Sequence, residues 1–156
     1  PVPVIILIIV FLLAHYILTQ TSYGRSVYAV GGNREAARLS GIRVKTSEFL
    51  VYTLNGLMCG MAGLILTARL GSAQSTSGTG IEMDAIAAVI LGGTSLSGGV
   101  GFVLPTVVGA MIMGIIDNIL TLMNVNPHAT NIVKGAVILI AVLVDKKVKD
   151  LSAKAE

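Results

Sequence analysis

The chain alternates long uncharged stretches with short charged ones, and the uncharged stretches are apolar on every face. Residues 1–24 carry no charge, and Val2 to Leu18 is apolar apart from His15 and Tyr16. Pro1 and Pro3 suit a helix start, where a missing N–H does no harm. Phe49 to Ala68 runs uncharged between Glu48 and Arg69. At about 1.5 Å per residue such a helix spans about 30 Å, the hydrocarbon thickness of a bilayer. Ala85 to Ile116 is again uncharged, but GGTSLSGGVG interrupts it at residues 92–101. Glycine loses more backbone entropy in a helix than any other residue, so this stretch should break one. It leaves a short segment from Ile81 to Leu91 and a longer one from Phe102 to Met123, with Pro105 in its first turns. After the turn NVNPH, a last span covers Ala129 to Val144.

Composition agrees with this pattern. Of 156 residues, 54% are hydrophobic and 12% charged, against about 25% charged in an average soluble domain. The mean hydropathy is +0.85. This is an integral membrane protein whose solvent is the lipid bilayer, and its 18 glycines suit close helix packing there. The lone Cys59 has no internal partner. The net charge of +3 is no sign of nucleic-acid binding, because the basic residues flank the spans. The chain begins inside a hydrophobic run without Met, as expected for part of a longer polypeptide.

Lys and Arg set the orientation. Five of the eleven lie in the loop 20–48 (Arg25, Arg34, Arg38, Arg43, Lys45) and four in the tail (Lys146, Lys147, Lys149, Lys154). Both regions are therefore expected in the cytoplasm, which requires an even number of crossings between them. The spans at 49–68, 102–123 and 129–144 supply an odd number, so residues 81–93 must cross too. That segment reaches only about 20 Å as a helix, so irregular backbone shielded from lipid must complete it. The expected fold is all-α: a polytopic membrane protein with five crossings, one short and broken, plus a short cytoplasmic helix. Residues 1–145 form the membrane unit, and 146–156 form a basic cytoplasmic tail.

The short helix lies in GGNREAARLSGIRV, residues 31–44. Asn33 is a good N-cap, Glu35 sits in the favoured first turn and Gly41 is a good stop. The spacing predicts a helix over 34–40, too short to be stable undocked. Ala36, Leu39 and Ile42 can form its apolar stripe, with Arg34, Glu35 and Arg38 facing elsewhere. It either docks on a partner protein, whose carboxylates the arginines suit, or lies on lipid headgroups.

YAVGGNREAARLSGIRV resembles the coupling segment of sugar-importing ABC transporter permeases and contains the spacing EAA-x3-G (Glu35, Ala36, Ala37, Gly41). DAIAAVILGGTSLSGGVG and IVKGAVILIAVLVD resemble later signatures of that family, in the same order. The resemblance runs from Val2 to Asp145 and is nearest to the ribose-type branch. It implies a permease of about twice this length with two related halves, of which this chain is the C-terminal one. It also implies a second permease copy, two cytosolic ATPase subunits that hydrolyse ATP, and a periplasmic sugar-binding protein in a bacterial inner membrane. The coupling residues it implies are Asn33, Glu35, Ala36, Ala37, Arg38, Leu39 and Gly41. The chain itself is expected to bind no cofactor and to be no enzyme. Pro105, Asp117 and Asn124 depart from the family pattern, which has Gly, Asn and Gly there.

Other polar groups have two readings each. The segment with Gly92, Gly93, Thr94, Ser95, Gly98 and Gly99, reached from Asp84, is either a helix break between packed spans or a contact with substrate. It lacks the Gly-Lys-Ser/Thr ending of a P-loop. Asn55 is either interhelical glue or a pathway group, and Gly56-x3-Gly60 matches a helix-packing motif. Asp117 and Lys134 fall at similar depth on consecutive spans; they either pair, with Asn118 adding a hydrogen bond, or face water separately. His15 and His128 have no metal-ligand spacing. A different class of function remains open on residues alone: a membrane scaffold or membrane-enzyme subunit that docks a soluble partner on the basic loop.

Overall fold

A computed structural model describes residues 2–74, 76 and 78–152. Among them all regular structure is helical, and the chain divides into two compact units, Pro1–Thr79 and Gly80–Glu156.

The first unit holds α1 (Val2–Gln20), α2 (Ser22–Gly32), α3 (Arg34–Leu39) and α4 (Val44–Leu70). α1 buries no residue, so its apolar surface needs lipid or further protein around it. α4 is 27 residues long and begins at Val44, five residues before the uncharged run. It ends on Gly71 in the left-handed conformation, φ +67°, whose N–H donates to the Thr67 carbonyl at 3.0 Å.

α2 was not expected, because residues 20–33 read as loop. Its 11 residues SYGRSVYAVGG include three glycines and carry poor intrinsic propensity. Tertiary contact supplies what propensity lacks. Thr21 is extended, and its hydroxyl accepts from the Gly24 N–H at 3.2 Å, capping α2. Gly24 is buried, and a Cβ there would lie 2.6 Å from the Ile17 carbonyl oxygen. Glycine lets α2 press against the end of α1 as it turns away.

The second unit holds α5 (Ile81–Leu91), α6 (Val103–Leu122) and α7 (Pro127–Ser152), with α5 packed on both others. Its core is small: Ala87, Ala88 and Met113 are buried, with Ile116, Val137 and Ile138 around them. Small residues set the α5–α6 approach. A Cβ on Gly92 would lie 2.6 Å from Thr106 Cα, and one on Gly109 would overlap the Ala88 carbonyl oxygen. Asn124, where the resembled family has Gly, has φ +52° in the turn after α6. Asn is among the residues that best tolerate that conformation. α7 runs unbroken from Pro127 to Ser152, so the first residues of the basic tail prolong the last helix.

By length and composition, α1, α4 and α6 can each cross a bilayer, and His128–Val144 within α7 is a shorter apolar helix.

Candidate functional site

α3 has six residues and matches the expected helix to within one position. Asn33 closes α2 and opens α3 at once. Its N–H donates to the Ala29 carbonyl at 3.0 Å, and its side-chain oxygen accepts from the Ala36 N–H at 2.9 Å. The helix stops at Ser40, and Gly41 takes φ +84°. Ile42 N–H then returns to the Ala37 carbonyl at 3.1 Å. Glu35 and Arg38 pair at 3.2 Å on the open face.

The expected apolar stripe of Ala36, Leu39 and Ile42 is left open to a partner at Ala36 and Leu39, and half-buried at Ile42. Ala37 is the residue turned into the fold, 4% exposed, whereas Ala36 is exposed and Leu39 is 79% exposed. α3 sits against α2 and α4 with Ala37 inward, and the bulky leucine is left outside. The outward face therefore carries Glu35, Ala36, Arg38 and Leu39, with Ala37 unavailable to a partner. One further contact was not foreseen. The Arg34 guanidinium grips Glu48 of α4 through both oxygens, at 2.8 and 3.0 Å.

In the second unit α5 ends at Leu91, and the segment 92–101 forms a tight loop. Gly93, Gly98 and Gly99 have φ +75°, +87° and +76°, a region other residues rarely enter. Ser95 N–H donates to the Val100 carbonyl at 2.9 Å, and Gly98 N–H to the Ser95 carbonyl at 3.1 Å. These bonds close the loop on itself, and Ser95 is buried. Thr94 packs beside Gly101, where a Cβ would meet its methyl at 3.1 Å.

Three charges meet among α5, α6 and α7. Lys134 Nζ lies 2.9 Å from Asp117 Oδ1 and 2.7 Å from Asp84 Oδ1, with Asp84 Oδ2 also at 2.9 Å. The residue Lys134 is 9% exposed. The second carboxylate was missed because Asp84 lies 50 residues from Lys134, too far for any spacing argument. Asn118, expected to help, is exposed, since one step along a helix turns a side chain by about 100°. The cluster joins all three helices of the unit with two carboxylates on one ammonium.

Asn55 is exposed, and extra Cβ atoms at Gly56, Gly60 and Gly63 would meet nothing within 4 Å. Within this chain the glycine face of α4 is therefore open, free for packing against other parts of the subunit. Between α1, α2 and α4 lies an apolar hollow of about 440 Å³, bordered by Leu13, Ile17, Val27, Leu54 and Met58 and by the Tyr23 ring. Burial pushes the Tyr23 phenol above its ordinary pKa. Among the described residues no group of three or more His, Cys, Asp or Glu could hold a metal, and His15 stacks on Phe11 with ring centroids 6.0 Å apart.

Long apolar helices, a charged cluster held inside one unit and a short capped helix beside a long span define a polytopic all-α membrane protein. The chain belongs to the family described as branched-chain amino acid transport system / permease component, which matches residues 2–142. It is 55% identical over 147 residues to the ribose import permease protein RbsC of Escherichia coli strain K12, covering 94% of this chain and 46% of that protein. Against RbsC of Bacillus subtilis strain 168 the identity is 50%, with the same coverage. Against the xylose transport system permease protein XylH of E. coli K12 it is 48% over 149 residues, 96% of this chain and 38% of the relative. The chain thus spans less than half the length of the curated relatives it matches. No solved structure matches it. These relatives are transport permeases and not enzymes.

Proposed function

We propose that the chain is the C-terminal half of the membrane-spanning permease of an ATP-dependent importer for a monosaccharide, ribose or a related sugar. The observation that carries this is 55% identity across 94% of the chain to a ribose import permease. The xylose permease at 48% supports a sugar over the branched-chain amino acid in the family's description. In this reading the permease pairs with a second copy, receives sugar from a periplasmic binding protein, and carries two cytosolic ATPase subunits that hydrolyse ATP. Both the α3 region and the tail lie in the cytoplasm, and the short α5 with the loop after it completes a fifth crossing.

α3 is the coupling helix. Its capped ends and its buried Ala37 fix it in place, and its exposed face of Glu35, Arg38 and Leu39 meets the ATPase. Asp84, Lys134 and Asp117 form the structural clasp of the second unit. The loop with Gly92, Gly93, Thr94, Ser95, Gly98 and Gly99 is the helix break, closed by the Ser95–Val100 and Gly98–Ser95 backbone hydrogen bonds. Asn55 and the neighbouring glycines of α4 face the rest of the assembly.

The test is uptake by the full-length permease with its ATPase and binding protein, offered labelled ribose, xylose and leucine in turn. Sugar uptake with ATPase co-purifying in mild detergent is expected; leucine uptake alone refutes the sugar reading. Leu39→Asp should abolish ATPase co-purification while the permease still inserts in the membrane. Normal co-purification with Leu39→Asp would remove α3 from the coupling role.

A further inference from the structure

α3 is joined to α4 by the chain at one end and by a side-chain contact at the other. At its C-terminal end, residues Ser40 to Arg43 lead directly into α4, through Gly41 at φ +84° with nothing within 4 Å of where its Cβ would be. At this glycine the left-handed turn carries no side chain to brace the joint between α3 and α4. At its N-terminal end the first residue, Arg34, reaches across 14 positions to Glu48 in the second turn of α4. Nε sits 2.8 Å from Oε1 and Nη2 sits 3.0 Å from Oε2, a two-pronged contact that fixes direction as well as distance. Lysine, a single point charge, could not hold an angle in this way.

We propose that the Arg34–Glu48 pair is a strut that makes α4 follow α3, so that a push on the coupling helix reaches the span through a side-chain contact at one end as well as through the chain at the other. The proposal rests on the coupling role given to α3 above. With both ends of α3 tied to the first turns of α4, rotation of α3 is delivered to a helix 27 residues, or about 40 Å, long. The side chains are 66% and 35% exposed, and pairs so exposed contribute little to fold stability. That separates the strut from a folding element: breaking it leaves the protein assembled and makes it inefficient.

The experiment uses the full permease reconstituted with its ATPase and binding protein in proteoliposomes, and reads sugar imported per ATP hydrolysed. Arg34→Glu and Glu48→Lys each put like charges in contact. Each should keep ATPase binding and hydrolysis while the import-to-hydrolysis ratio falls by about fivefold, the factor that an exposed pair's strength represents. The double variant Arg34→Glu with Glu48→Lys restores attraction and should recover most of the ratio. Spin labels at Leu39 and Tyr52 in the permease alone provide a second measurement: their distance distribution should broaden in each single variant and narrow again in the double. Unchanged ratios and distributions in the single variants, or a double variant no better than either single one, overturn the strut. If the wild-type protein imports nothing yet the label distances change as described, the coupling reading is overturned and the strut's role in transport with it.

Discussion

Replacing Lys134 with leucine tests the clasp of the second unit most directly. Asp84 and Asp117 each place an oxygen within 2.9 Å of the same nitrogen, so the two carboxylates lie no farther apart than two ion-pair distances. Without the ammonium they face one another. At about 5 Å and an effective dielectric of about 20, two such charges repel by about 3 kcal/mol. Removing one member of a buried pair costs about 3–5 kcal/mol in general. The Asp117 side chain is 35% exposed, so its share is partly screened, and Asp84, with both oxygens on Lys134, carries more. Lys134→Leu should therefore cost about 3–5 kcal/mol, a large part of the stability of an ordinary domain. Asp117→Asn should change stability by less than about 1 kcal/mol, because the amide oxygen still accepts and one cation then faces one carboxylate. A pairwise view expects Lys134→Leu with Asp117→Leu to recover the loss. The three-membered cluster predicts only partial recovery, since Asp84 stays charged, and fuller recovery when Asp84→Asn is added. Unfolding of the full-length permease in mixed micelles titrated with SDS, followed by far-UV circular dichroism, measures each variant. If the triple variant is no more stable than Lys134→Leu alone, the three charges are not coupled and the reasoning fails.

Two further predictions concern packing and topology. Gly109→Ala drives a methyl into the Ala88 carbonyl and should cost about 1–3 kcal/mol in the same assay, whereas Gly114→Ala on the same helix meets nothing within 4 Å and should be neutral; equal effects would show that α5 and α6 are not held at this distance. Single cysteines at Gln74 and Lys146 in a Cys59→Ser background should be labelled from opposite sides of the membrane by an impermeant maleimide, and same-side labelling would make α5 re-entrant.

Much of the architecture follows from the order of residues alone. The apolar runs of α1, α4, α6 and α7, the break after Leu91 and the cap at Asn33 depend on composition and near neighbours, and hydropathy and capping chemistry act over one or two turns. α2 could not be read that way: its glycines argue against a helix, and the Thr21 cap and the close fit of Gly24 against the end of α1 accompany the one that forms. The Asp117–Lys134 contact joins consecutive helices through a short turn and was accessible to a depth argument. Asp84 and the Arg34–Glu48 grip required knowledge of how helices face each other. The same holds for the face of α3. Sequence periodicity could pick out an apolar stripe, but that Ala37 turns inward against α2 and α4 while Leu39 stays outside is set by the packing of the three helices. Patterns along the chain determine where helices begin and end, because those energies are local. Which side chains meet is decided by packing in three dimensions, where one missing Cβ sets the distance between two helices.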